Sequence, residues 1–290
     1  MKFGINTFLW SAHFGPSDFG LLPAIKANGF DGIEASLIRP GQFAAREIRK
    51  ALQENALQCT ICSILPPELS LLAEDGVIRE RTIAHLADCI QQTAEAGASI
   101  IAGPLYCPVG FLPGRRRTAE EWKRAVDGYQ QLGPVLESHS VDLCIEPLNR
   151  FETFFLNTTA DAVRLCQEVR HPRIGILWDT FHANIEEKNL SAALRLGAEY
   201  IKHVHTCEND RGTPGTGHVD WAGVFEAFGE IGYDGWLTIE SFGFASGDLA
   251  AAASIWRDLA ADPDEIAWAG VSFLKSQYEA GHKLSAGIKS

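Results

Sequence analysis

Short β-rich apolar runs recur along the chain at residues 2–6, 31–36, 57–63, 99–103, 141–146, 173–178, 200–206 and 236–240. Between them lie stretches whose apolar positions return every three or four residues, at 78–96, 119–138 and 157–169, with shorter ones after Phe43, Leu190 and Trp221. A period near two marks a strand and one near 3.6 a helix, so strand and helix alternate throughout. Glycine punctuates the helix ends, as in Asn28-Gly29-Phe30-Asp31, Ala96-Gly97-Ala98-Ser99 and Ile231-Gly232-Tyr233. There it supplies the left-handed residue that stops a helix. Eight β-then-α units in 290 residues predict a (β/α)8 TIM barrel, a single domain over 1–290. A doubly wound open sheet has fewer strands and a G-x-G-x-x-G turn after the first, which this chain lacks. Two more helical stretches, 248–259 and 264–280, predict an additional C-terminal region whose last helix covers the barrel's outer wall.

In a parallel barrel all strands end on one face, so strand-end residues that are distant in sequence converge. The fifth to eighth runs close on Glu146, Asp179, His205 and Glu240, in steps of 33, 26 and 35 residues, each about one βα unit. Three carboxylates and one imidazole without a thiolate predict one divalent ion, Mn2+ or Co2+ with Mg2+ also compatible, rather than structural zinc. Four protein ligands on an ion that prefers about six leave two positions for adjacent oxygens of a substrate, such as a hydroxy-ketone. His203 shares the strand face of His205 and reads equally as a barrel-interior histidine or as a partner of that ligand. Of His13, His85, His139, His171 and His218, only His13, in the first loop, is placed to reach a ligand. Phe8, Trp10 and Phe14 in the first loop, with Phe242 and Phe244 after the eighth run, are candidate walls of a pocket.

Composition narrows the partners. A 46% hydrophobic content supports a large core, while a net charge of −12 repels a phosphate backbone and excludes nucleic acid as a partner. No apolar run reaches the length of about 18 residues that a membrane helix needs. The N-terminus reads as a strand rather than a signal segment, which places the protein in the cytoplasm. Seven cysteines, at 59, 62, 89, 107, 144, 166 and 207, lie in apolar segments and read as buried free thiols. Cys59 and Cys62 form a C-x-x-C, but inside a strand-like run, so they read as core rather than as a redox or zinc pair. Arg115-Arg116-Arg117 precedes a helix and reads as a solvated turn.

The run Ile145-Glu146-Pro147-Leu148-Asn149-Arg150-Phe151-Glu152 and the run Asp179-Thr180-Phe181-His182-Ala183-Asn184-Ile185-Glu186-Glu187 carry a resemblance. With His205, Arg211, Pro214-Gly215-Thr216-Gly217 and Trp221, they resemble the ketose 3-epimerases: the D-tagatose, D-psicose (D-allulose) and L-ribulose enzymes of the xylose-isomerase-like barrel superfamily. The likeness runs in order along nearly the whole chain. It implies that Glu146, Asp179, His205 and Glu240 bind the metal, that Glu146 and Glu240 are also the acid/base pair, and that Glu152, His182 and Arg211 bind the O1 and O2 end of the sugar. It further implies an isomerase that inverts C3 of a free ketose (D-tagatose, D-psicose, D-fructose or L-ribulose) through a cis-enediolate, assembled as a homodimer or homotetramer.

The substrate-facing loops depart from the pattern. Asn6-Thr7-Phe8-Leu9-Trp10 resembles the L-ribulose branch, Gly103 to Gly110 lacks a tryptophan usual in the family, and Glu240-Ser241-Phe242 stands where Glu-Pro-Phe is commoner. These departures leave the preferred ketose open. An aldose-ketose isomerase of the hydroxypyruvate or rhamnose type, forming its enediolate between C1 and C2, is the alternative. A barrel phosphoesterase would need more strand-end histidines and a basic groove, and a sugar-binding barrel without turnover is the third reading.

Overall fold

The computed structural model describes residues 1–242 and 253–287. Eight parallel strands pair in chain order and close on themselves: β1 (Lys2–Asn6), β2 (Gly32–Ser36), β3 (Gln58–Cys62), β4 (Ile100–Gly103), β5 (Asp142–Ile145), β6 (Ile174–Asp179), β7 (Ile201–His205) and β8 (Trp236–Ile239), with β8 against β1. Each expected run agrees with its strand to within one residue at either end, and the fold is a (β/α)8 TIM barrel. The helices are α1 (Leu22–Ala27), α2 (Ala45–Glu54), α3 (Gly76–Glu95), α4 (Ala119–His139), α5 (Thr159–Val169), α6 (Thr180–Glu186), α7 (Leu190–Gly197), α8 (Trp221–Ile231) and α9 (Pro263–Gly287). Asp75, Thr158, Asn189 and Asp220 start α3, α5, α7 and α8 by accepting a backbone N–H, each such cap being worth about 1 kcal/mol. Among the described residues no helix is long and apolar enough to cross a membrane.

Strand side chains alternate between two environments. One set, including Ile33, Ile61, Ile101, Leu143, Ile176 and Val204, joins helix residues such as Leu86, Ile90, Leu132 and Phe228 in the main core between barrel and helices. The other set faces the bore. Ala102, Cys144 and Leu177 make a small separate apolar cluster there; Thr60 stands midway along β3, and Asp179 and His205 stand at the C-terminal ends of β6 and β7. A register irregularity at Ile176/Leu177 brings Asp179 of β6 level with His205 of β7. At the end of β4, Gly103 has φ +140°, and a Cβ there would stand 2.0 Å from the Ser63 carbonyl oxygen. Only glycine fits so close an approach, and its carbonyl accepts the N–H of Glu146 at 3.1 Å.

The C-terminal region differs from expectation. Of the helix expected over 248–259, residues 248–252 lie outside the described residues, and 253–259 is turn and bend. Ala253 and Ile255 pack against Phe8, Cys62 and Phe242 at the mouth of the barrel, so their apolar surface covers the mouth rather than lining a helix. Pro263 then opens α9, where the missing N–H costs nothing, and Asp262 accepts the N–H of Glu265 at 2.8 Å. Ile266, Ala267, Val271 and Leu274 of α9 are buried against the barrel, as expected for a helix that covers the wall.

Candidate active site

The strand ends bring Glu146, Asp179, His205 and Glu240 together, all four buried, with one ligand atom from each lying within 4.8 Å of the others. His205 Nδ1 is 3.4 Å from Glu240 Oε2, 3.6 Å from Asp179 Oδ2 and 3.8 Å from Glu146 Oε1. Two atoms that are each about 2.1 Å from an ion stand about 3.0 Å apart at a right angle and about 4.2 Å apart when opposed, so these separations suit one ion. His205 Nδ1 and Glu146 Oε1 are buried without a hydrogen-bond partner, a state that costs about 1–3 kcal/mol per group unless something else binds them. The donor set, three carboxylates and an imidazole, fits a divalent cation. Asp179 divides its labour: Oδ1 caps α6 by accepting the N–H of Phe181 at 2.6 Å, which leaves Oδ2 to face the cage.

The three residues that the resemblance assigns to sugar binding stand beside this cage. Arg211 Nη1 donates to Glu240 Oε2 and lies 3.4 Å from Asp179 Oδ2. Its guanidinium stacks over Phe181 at 4.2 Å and over Phe242 at 5.0 Å. Arg211 adopts φ +64°, and Ser241 Oγ holds its carbonyl at 2.7 Å. His182 Nδ1 accepts the N–H of Asn149 at 3.1 Å, while Nε2 lies 3.1 Å from Arg211 Nη2 and 3.7 Å from Glu146 Oε1. Asn149 also donates to Glu152 Oε1 at 2.7 Å, so one short loop after β5 sets both His182 and Glu152.

Glu146, Glu152, His182, Arg211 and Glu240 form the polar part of the lining of a cleft at the barrel mouth. Phe8, Cys62, Ile64, Pro104, Leu148 and Phe242 complete its lining, together with Val109 and Ala253. Two of the expected walls are elsewhere. Trp10 points to α9, donating its Nε1–H to Asp264 at 2.9 Å and stacking on Trp268, and Phe14 packs on Phe19 in the hydrophobic core. Phe244 lies outside the described residues, and His13 faces solvent. The arginine run is more than a solvated turn: Arg115 grips Glu121, and Arg117 grips Asp161 while lying over Trp122.

Burial and neighbouring charge set the protonation states. Burial, then the Glu240 carboxylate, pushes the Glu146 carboxyl well above the usual range. Burial opposes ionisation of Asp179 as well, but Arg211 and His182 hold it well below. Burial pulls His182 down, which favours its neutral ring. On His205 burial acts the same way, but the Glu34 and Glu240 carboxylates outweigh it and raise the imidazole well above its ordinary value. Glu34, fully buried in β2, was missed by the reading of strand ends because it lies mid-strand. Its one signal was a carboxylate inside the otherwise small and apolar Gly32–Ser36 run.

The sequence profile of the xylose isomerase-like TIM barrel family matches residues 22–277. A protein of Synechocystis sp. named probable ketose 3-epimerase is 34% identical over 96% of this chain and 97% of its own length. The L-ribulose 3-epimerase of Mesorhizobium japonicum is 31% identical over 90% of this chain and 89% of its own. Among solved structures, the D-allulose 3-epimerase of Methylomonas sp. in complex with D-allulose superposes with a TM-score of 0.91 at 28% identity, covering 96% of this chain and 97% of that one.

Proposed function

The chain belongs to the xylose isomerase-like TIM barrel family and, within it, to the ketose 3-epimerases, an isomerase class, and we propose that it inverts C3 of a free ketose with Glu146 and Glu240 as its two proton carriers. The observation that carries this reading is a pair of buried glutamates meeting around one cage, beside a neutral His182 and a cationic Arg211. C3 of a ketose is α to the C2 carbonyl, so its proton becomes acidic when the carbonyl oxygen is stabilised. Inversion needs a base on one face and an acid on the other, since a single base returns its proton to the side it came from. One glutamate removes the C3 proton to give a cis-enediolate and the other delivers a proton to the opposite face. His182 and Arg211 donate to the oxygens at the O1 and O2 end, and Glu152 accepts from a hydroxyl.

Glu146, Asp179, His205 and Glu240 would hold one Mn2+ or Co2+, whose charge would stabilise negative charge developing on the substrate oxygens. Exposed Phe111, Leu112 and Phe151, on the loops that also carry Val109 and Glu152 to the cleft, support a homo-oligomeric assembly. Seven buried, unpaired cysteines fit a reducing cytoplasm. The test is incubation with D-fructose, D-tagatose or L-ribulose in deuterated water with Mn2+. Deuterium at C3 is expected, and label confined to C1 or C2 overturns epimerisation in favour of aldose-ketose isomerisation.

A further inference from the structure

We infer that Glu34 is a positioning residue that fixes the tautomer and orientation of His205 across the bore, so that its Nδ1 lone pair faces the metal cage. This rests on the metal reading above. Glu34 sits on β2, between Asn6 of β1 and Thr60 of β3 in register, whereas His205 lies across the barrel on β7. Each carboxylate oxygen of Glu34 accepts two hydrogen bonds. Oε1 takes His205 Nε2 at 2.7 Å and Asn6 Nδ2 at 2.9 Å, and Oε2 takes His203 Nε2 at 2.6 Å and Thr60 Oγ1 at 3.1 Å. All five residues are buried.

A carboxylate can only accept, so the protons of these two bonds sit on the imidazole Nε2 atoms. His205 Nδ1 is thereby the ring atom left for the cage, and it is the atom that has no hydrogen-bond partner there. With Asn6, Thr60 and His203 holding the carboxylate, the His205 ring is fixed from below before any ion arrives. An ionised acceptor behind a ligating imidazole also raises its basicity toward the metal. Glu34, His203 and His205 have ligand atoms close enough to suggest a second ion site, but separations of 2.6 and 2.7 Å are those of hydrogen bonds rather than of ligands around an ion. Protons, not a second metal, join this trio.

The experiment compares Mn2+ binding to wild type, Glu34→Gln and Thr60→Val, by the electron paramagnetic resonance signal of free Mn2+, with the visible spectrum of the Co2+-loaded proteins as a second readout. Glu34→Gln puts an amide N–H against one imidazole and removes the charge. Its Mn2+ affinity should fall about 10- to 100-fold and its Co2+ spectrum should change, while folding is retained by circular dichroism. Thr60→Val keeps the carboxylate, loses one bond and should show a smaller loss. If Glu34→Gln fails to fold, nitrogen-15 spectra of histidine-labelled wild type loaded with Mg2+ decide the matter: the His205 proton belongs on Nε2, and finding it on Nδ1 overturns the inference. Unchanged Mn2+ affinity and Co2+ spectrum in folded Glu34→Gln also overturn it, as does a stoichiometry of two Mn2+ that drops to one in that variant. Wild type that binds no ion overturns the metal reading as well.

Discussion

On one side of the cleft stand Glu146, Glu240, His182 and Arg211, close-packed and buried; on the other stand Phe8, Ile64, Pro104, Leu148 and Phe242, which present carbon. The two sides meet where the Arg211 guanidinium lies over Phe242. On the polar side, positions are fixed by directional bonds that tolerate little displacement: Asp179 is tied to the start of α6, Asn149 orients both His182 and Glu152, and Ser241 pins the left-handed backbone of Arg211. On the apolar side only shape is specified, and shape discriminates weakly among sugars that differ by a hydroxyl. On the proposed function, the difference separates reaction from selectivity, with the chemistry assigned to the polar side and the range of ketoses accepted to the wall.

The largest expected break in this comparison comes from the polar side. Glu146→Gln and Glu240→Gln, assayed at saturating Mn2+, should each lower kcat by about 10²- to 10⁴-fold, the usual worth of a positioned acid or base. Deuterium exchange at C3 without net epimerisation in one variant would assign which glutamate serves which face. Turnover close to wild type in both would refute the two-carrier mechanism.

An intermediate effect follows from pH. Metal ligands must shed their protons to bind. Glu146 and His205 have values raised above normal in the protein without an ion, so each still holds its proton at pH values where an unperturbed group would have lost it. Acidification therefore weakens Mn2+ binding, by about tenfold per pH unit for each proton displaced, and affinity levels off only above the raised values. Titrations at several pH values by calorimetry would show this slope together with proton release. The wall behaves otherwise: the Cys62 thiol, which also lines the cleft, is pushed well above its ordinary value by burial and by the Glu34 carboxylate, and so stays neutral throughout. An Mn2+ affinity that is flat with pH would contradict the protonation states of the polar side.

Much of this was legible in the chain, for physical reasons that differ by element. Strands buried on both faces read as short continuous apolar runs, so their limits were clear, and the four cage residues stood out as polar residues closing those runs. Glu152, His182 and Arg211 are different, since spacing alone leaves them as ordinary loop and helix-start residues and it was the likeness of motif that marked them. Trp10 was misjudged because sequence does not encode where a loop residue turns, and its partners, Asp264 and Trp268, lie some 250 residues away. Residues 253–259 show the complementary failure. Their helical periodicity was genuine, but Ala253 and Ile255 are used against the mouth of the barrel instead.

The smallest predicted effect tests the apolar side directly. Ile64 is half-buried and lines the cleft without any polar partner, so its contacts with a sugar are equally good before and during the reaction. Such uniform binding lowers KM without raising kcat. Ile64→Val removes one methylene, worth about 0.8 kcal/mol, and should raise KM about fourfold while leaving kcat unchanged. The split matters more than the size, because any loss on the polar side appears in kcat. If steady-state kinetics on Ile64→Val instead show kcat falling about tenfold at constant KM, the wall is helping to place C3 between the two glutamates. The division between a reacting side and a merely accommodating one would then fail.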